Sequence, residues 1–96
     1  MSQRFRFRLS GEVQGVNLRR NIAAYATVHG LAGWVRNDPG MLVTVEVEGT
    51  PEAMVAFRHW LESGLPGLRI SIQGSEALEP EGARRFEIVR WWHRLA

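Results

Sequence analysis

Apolar and charged residues alternate strictly at the start of the chain. Phe5, Phe7 and Leu9 are interleaved with Arg4, Arg6 and Arg8. A period of two sends the apolar side chains to one face of a strand and the guanidiniums to the other, so RFRFRLS reads as a half-buried strand. The period then lengthens. Leu18, Ile22, Tyr25 and Ala26 fall on one stripe of a helix predicted over 18–29, with Gly30 as its C-terminal stop. LAGWVRN reads as a short strand and NDPG as a turn. In LVTVEVEG the alternation returns, with Val43, Val45 and Val47 inward and Thr44, Glu46 and Glu48 on an outward, solvated face. Thr50 suits an N-cap and Pro51 the first helical position. Met54, Phe57 and Leu61 then give the core stripe of a second helix ending near Gly64. GLPG reads as a loop, LRISIQ as a strand, EPEG as a turn and RRFEIVRWW as a final strand.

Strand, helix, strand, strand, helix, strand and a last short strand make an α+β chain of the ferredoxin-like, split βαβ kind. The expected architecture is an antiparallel sheet with two helices on one face. Its 96 residues suit one domain, 1–96. A hydrophobic content of 45% and a charged content of 23% are those of an ordinary globular protein. The absence of a long apolar run or an apolar leader predicts no membrane association and a cytoplasmic location. With no cysteine, thiolate chemistry and disulfides are excluded. All 12 basic residues are arginine, which excludes a P-loop lysine and Schiff-base chemistry. A net charge of +2 is too small to argue for nucleic acid.

Most routes to catalysis find no residues here. His29, His59 and His93 have no metal-ligand spacing, and no metal site is expected. A nucleophilic triad has only Asp38 to draw on, in a turn. Glu46 and Glu48 share one strand face, which the alternation reads as solvated rather than as an acid/base pair. The stretch GEVQGVNLRR is more informative. A glycine-bearing loop that runs straight into a helix aims successive N–H groups at one point, with the positive helix end behind them. Arg19 and Arg20 add two cations to the first turn, where the macrodipole disfavours them unless an anion is bound. By spacing alone, an anion cradle and a tight turn with two solvated arginines remain equal alternatives.

The longer stretch GEVQGVNLRRNIAAYATVHGLAGWVRN closely resembles the acylphosphatase family. The family motif runs Gly-x-Val-Gln-Gly-Val-x-Phe-Arg, six residues, Ala, three residues, Gly-Leu-x-Gly-Trp-Val-x-Asn. Here Gly11, Val13, Gln14, Gly15, Val16, Arg19, Ala26, Gly30, Leu31, Gly33, Trp34, Val35 and Asn37 stand at the matching positions. The likeness continues more loosely over EGTPEAMVAFRHWLESGLPG and RRFEIV. It implies the fold already read from the periodicity, and metal-independent, cofactor-free hydrolysis of acyl phosphates to a carboxylate and inorganic phosphate. By this resemblance Gln14, Gly15, Val16, Asn17, Leu18 and Arg19 form the phosphate-binding loop. Arg19 and Asn37 are then the catalytic residues, with Asn37 holding the attacking water. Phosphate is expected as product and inhibitor, and the working unit as a monomer.

Three departures accompany the match. Leu18 stands where the family has phenylalanine, Asn17 fills a variable loop position, and Met41 occupies a place where the family has glycine. The last of these is expected to shift the NDPGM turn and the aim of Asn37. The WWHRLA tail runs past the family's usual end; exposed tryptophans can mark a contact surface, but a strand extension packing on the sheet edge is the favoured reading. Two rival functions share this architecture. An RNA-binding module of the same fold stacks bases on aromatics across the open sheet face. Here that face carries Arg4, Arg6 and Arg8 beside Thr44, Glu46 and Glu48, which predicts ion pairs and no stacking platform, hence no nucleic acid. A non-catalytic phosphate-binding regulatory domain would keep the cradle without turnover.

Overall fold

The computed structural model describes residues 1–11, 17–63 and 69–94. Its elements are β1 (Gln3–Gly11), α1 (Leu18–Val28), β2 (Ala32–Asp38), β3 (Leu42–Gly49), α2 (Pro51–Ser63), β4 (Ile70–Leu78) and β5 (Phe86–Ile88). The five strands lie in the order β4-β1-β3-β2-β5. The expected α+β, ferredoxin-like arrangement is therefore present, with one correction: β5 pairs with β2 in parallel, so the sheet is mixed rather than antiparallel. The predicted GLPG loop lies outside the described residues.

The two periods read from the sequence meet in one core. Phe7 and Leu9 of β1, Val35 of β2 and Val43, Val45 and Val47 of β3 pack against Leu18, Ile22 and Ala26 of α1 and Met54, Phe57 and Leu61 of α2. Burying each large aliphatic or aromatic side chain is worth about 1.5–3 kcal/mol, so both helices are held by packing rather than by propensity. Their ends are defined chemically. The Thr50 hydroxyl accepts the Ala53 N–H at 3.1 Å and caps α2. At the end of α1, Gly30 has φ +70, and the Leu31 N–H returns to the Ala26 carbonyl at 2.8 Å in a Schellman closure. Gly33 is fixed by crowding: a Cβ there would lie 1.9 Å from the Glu46 carbonyl oxygen.

The opposite sheet face departs from expectation. Arg4 pairs in register with Glu48, Arg6 with Glu46 and Arg8 with Thr44, as cross-strand charge pairing requires. This face is not solvated, however: Arg4 is 2% exposed, Glu46 1% and Glu48 6%. The cause is the course of the chain after β4. β4 and β5 are the two opposite edges of the sheet, so residues 79–85 must cross it. In crossing, the N–H groups of Glu81 and Gly82 donate to the Glu48 carboxylate at 2.7 and 2.9 Å. The EPEG stretch is therefore a strap over the charged face, not a turn. Beneath it Arg4 binds Glu46 at 2.9 Å and Glu48 at 3.0 Å, and Arg6 binds Glu46 at 2.6 Å.

The final strand is also shorter than the pattern suggests, ending at Ile88, and Trp91 to Arg94 form a turn rather than an edge extension. That turn folds back over the same face. The Arg36 guanidinium donates to the His93 carbonyl, the His93 ring meets Trp34 edge-on at 5.3 Å, and Arg94 closes on Glu81 at 2.5 Å.

Acid should loosen this strap. Burial pushes the Glu48 carboxyl upward, but the Glu81 N–H, Arg4 and the Gly82 N–H outweigh it, and the net position is below the ordinary value. A depressed carboxyl pKa contributes stability that is whole above the unfolded value, about 4.3, and is lost as pH falls through the folded one. Urea unfolding between pH 6 and pH 3 should therefore show a steeper loss in wild type than in Glu48→Gln. At pH 6 the variant should be less stable by about 2 kcal/mol, since it loses charge-assisted hydrogen bonds. Superimposable profiles would show that the carboxylate does not hold the strap.

Candidate active site

Where β1 gives way to α1, the sequence supplies an uncapped helix start. Asn17 is the N-cap residue at φ 61, ψ 21, a left-handed conformation that asparagine tolerates better than most residues. That backbone requirement accounts for an asparagine at this position. Its side chain makes no cap hydrogen bond, and the first turn of α1 carries no acidic residue. An α-helix leaves its first N–H groups without intrahelical partners, so this end presents donors and positive dipole that no side chain among the described residues caps. Leu18 is 1% exposed and packs into the core, so the leucine that replaces phenylalanine still anchors the helix start. Arg19 follows it, half-buried and with no hydrogen-bond or ion-pair partner among the described residues. Gln14, Gly15 and Val16, the rest of the expected phosphate loop, lie outside the described residues.

Asn37 approaches from the sheet. It lies on the same face of β2 as Val35, one step beyond the core, and is half-buried. Its Oδ1 is buried without a hydrogen-bond partner among the described residues. A buried amide oxygen left unpaired costs about 1–3 kcal/mol, a cost most simply offset by a molecule that binds there. The turn departure does not misplace it. β2 and β3 pair without a register shift from Ala32↔Glu48 through Asn37↔Val43 to Asp38↔Leu42. The strain is confined to the loop, where Met41 takes φ 59, a conformation that favours glycine. The Asp38 carboxylate accepts hydrogen bonds from Arg36 and the Thr44 hydroxyl, which anchors the strand end next to Asn37.

Arg19 and Asn37 line one open cleft of about 440 Å³ together with Ile88, Val89, Arg90, Trp91 and Trp92. The two residues singled out by sequence are thus brought together, and the 88–92 wall is what sequence reasoning missed. The signal was present in the paired tryptophans, but their position depends on β5 running parallel to β2. The Val89 N–H donates to the Val35 carbonyl at 2.9 Å, and this carries the chain past Asn37.

Other candidate chemistry is occupied elsewhere. His29 stacks on Tyr25 at 4.1 Å, His59 contacts Ser63, and His93 lies against Trp34. Glu46 and Glu48 are engaged by guanidiniums. No group of three or more potential metal-ligating side chains occurs among the described residues. No described helix is long and apolar enough to cross a membrane.

The acylphosphatase family model matches residues 5–88 of the chain, a span that holds both Arg19 and Asn37. The chain belongs to the acylphosphatase family. An acylphosphatase of Synechococcus sp. (strain WH7803) is 42% identical over 87 residues, covering 91% of this chain and 87% of that protein. Among solved structures, the acylphosphatase from Bacillus subtilis has a TM-score of 0.78 at 30% identity, over 93% of this chain and 99% of that one. The acylphosphatase from Coxiella burnetii has a TM-score of 0.83 at 26% identity, over 92% and 93% of the two chains.

An acylphosphatase cleft built this way should trade stability for binding at Arg19. The side chain has no described partner and sits at the positive end of α1, so its removal relieves an unfavourable charge. Arg19→Ala should leave the unfolding free energy from urea titration unchanged or raise it by no more than about 1 kcal/mol. A loss of several kcal/mol would show that Arg19 is a structural residue instead.

Proposed function

We propose that this chain hydrolyses small-molecule acyl phosphates, with Arg19 and Asn37 as the catalytic residues. The observation that carries the assignment is their convergence: a guanidinium and a buried amide oxygen, both without a partner among the described residues, border one cleft at the start of a helix without an acidic residue in its first turn. Arg19, with its planar fork, holds two oxygens of the phosphoryl dianion. The N–H groups of the loop 14–19 hold the others, with the α1 dipole behind them. This charge, fixed in place before reaction, offsets the negative charge on the phosphoryl group in flight.

Asn37 positions the water. Its Oδ1 accepts one water hydrogen and so aims the oxygen lone pair at phosphorus, in line with the departing carboxylate. The water oxygen bonds to phosphorus as the bond from phosphorus to the acyl oxygen breaks, and that electron pair leaves on the carboxylate. One water proton stays on the new P–OH and the other passes to a phosphoryl oxygen. A carboxylate is a good leaving group, so no general acid is required. An amide is too weak a base to take the proton, which makes positioning the whole contribution of Asn37. Inorganic phosphate, as product, occupies the same donors and inhibits. Both residues and the cleft walls come from one chain, which supports a monomer as the working unit.

The test is kinetic. Asn37→Ala should lower kcat by about 10²–10³ while leaving the inhibition constant of inorganic phosphate within about twofold, because the amide touches water and not the bound anion. Arg19→Lys should lose both turnover and phosphate affinity, since a point charge does not replace the fork. In wild type, phosphate at a hundredfold excess over its dissociation constant should stabilise the fold by about 2.7 kcal/mol, read as a raised Tm. Turnover that survives both substitutions would refute the assignment. Phosphate binding without any turnover in wild type would favour the regulatory-domain alternative.

A further inference from the structure

We infer that the 88–92 wall is an acyl-group subsite, and that Trp91 and Trp92 make the enzyme selective for acyl phosphates with aromatic acyl groups. This rests on the assignment of Arg19 and Asn37 above. The acyl group stays bonded to the phosphoryl group until the reaction, so it rests on cleft lining that lies next to the oxygens held by Arg19 and that neither Arg19 nor Asn37 occupies. Arg19 and the helix start claim the phosphoryl end. Among the described residues, the lining that remains in the cleft is Ile88, Val89, Arg90, Trp91 and Trp92.

That surface is chemically distinctive. Ile88 is 45% exposed, Trp91 50% and Trp92 54%, and the two tryptophans are the only exposed large aromatic hydrophobics among the described residues. The two indoles meet edge-on with centroids 5.9 Å apart, so they present planes at a steep angle to each other, a corner rather than a flat patch. The Arg90 guanidinium lies 5.3 Å from the centre of the Trp92 ring, a cation–π contact that fixes its orientation. The corner is also tied down from behind, since the turn that carries it is fastened through Arg36 to His93 and through Arg94 to Glu81. An acetyl methyl has too little surface to gain from two indoles. An aryl group fills the corner by stacking on one ring and meeting the other by its edge.

The test compares kcat/KM for benzoyl phosphate and acetyl phosphate. Wild type should prefer benzoyl phosphate by about tenfold or more, and Trp91→Ala and Trp92→Ala should each lower that ratio by about three- to tenfold. Trp92→Phe, which keeps an aromatic plane, should retain most of it. The binding of benzylphosphonate relative to inorganic phosphate, followed by tryptophan fluorescence, gives a readout independent of turnover and should shift in parallel. Equal kcat/KM for the two substrates in folded wild type, or a ratio untouched by either alanine variant, would overturn the subsite. Failure of wild type to hydrolyse either substrate would overturn the catalytic reading instead, and the phosphonate-to-phosphate comparison would still decide the wall.

Discussion

The fold depends on a lattice of opposite charges buried between a sheet and its own strap. Arg4, Arg6, Glu46 and Glu48 alternate across two neighbouring strands, and the N–H groups of Glu81 and Gly82 close the lattice from above. Removing water from ions costs several kcal/mol each, and mutual attraction offsets this only when hydrogen bonds satisfy the remaining lone pairs. Backbone donors on Glu48 meet that condition. A course of the chain that took the Glu81 and Gly82 N–H groups away would leave the Glu48 carboxylate with fewer donors, so the lattice favours the course observed. That course runs from the β4 edge to the β5 edge, and it brings residues 88–92 up beside Asn37. The geometry of the cleft thus rests on ion pairs at the far side of the sheet.

Elements governed by local period were legible in the sequence. The stripe of Leu18, Ile22 and Ala26, the stripe of Met54, Phe57 and Leu61, and the Thr50 cap all stand where spacing puts them. So does the pairing of Arg4 and Arg6 with Glu48 and Glu46, because alternation on neighbouring strands leaves no other face for them. What the period does not carry is what lies over a face. Glu46 has the same alternation whether water or a strap covers it, so its burial had to come from topology. The parallel pairing of β5 is the same kind of information, since three paired residues leave almost no period to read.

The site divides along the same line. The motif singles out Arg19 and Asn37 as candidates because it ties residue identity to position, and their meeting in one cleft follows from α1 and β2 sharing one end of the sheet. The aim of Asn37 was not legible, since a methionine in place of glycine at 41 gives no sign of where the strain goes. The structure confines it to φ 59 at Met41 and keeps the β2–β3 ladder intact, because a regular antiparallel register is costlier to break than one left-handed residue. The tryptophans of the wall lie outside any periodic element. Their place in the cleft follows only once the strap and the parallel strand are known.

The lysine-free composition acquires a chemical meaning at the cleft. An acyl phosphate is a mixed anhydride, and an amine held beside it attacks the activated carbonyl and ends as an amide. The cations bordering this cleft, Arg19 and Arg90, are guanidiniums. A guanidinium keeps its proton throughout the physiological range and offers no free lone pair to a carbonyl. The chain supplies the charge that a phosphoryl dianion demands with groups that the reactive end of the substrate does not acylate. With no lysine elsewhere in the 96 residues, no side-chain amine is offered to the substrate on its way in. For a catalyst that handles acylating agents, the choice of cation is a matter of its own survival as much as of binding.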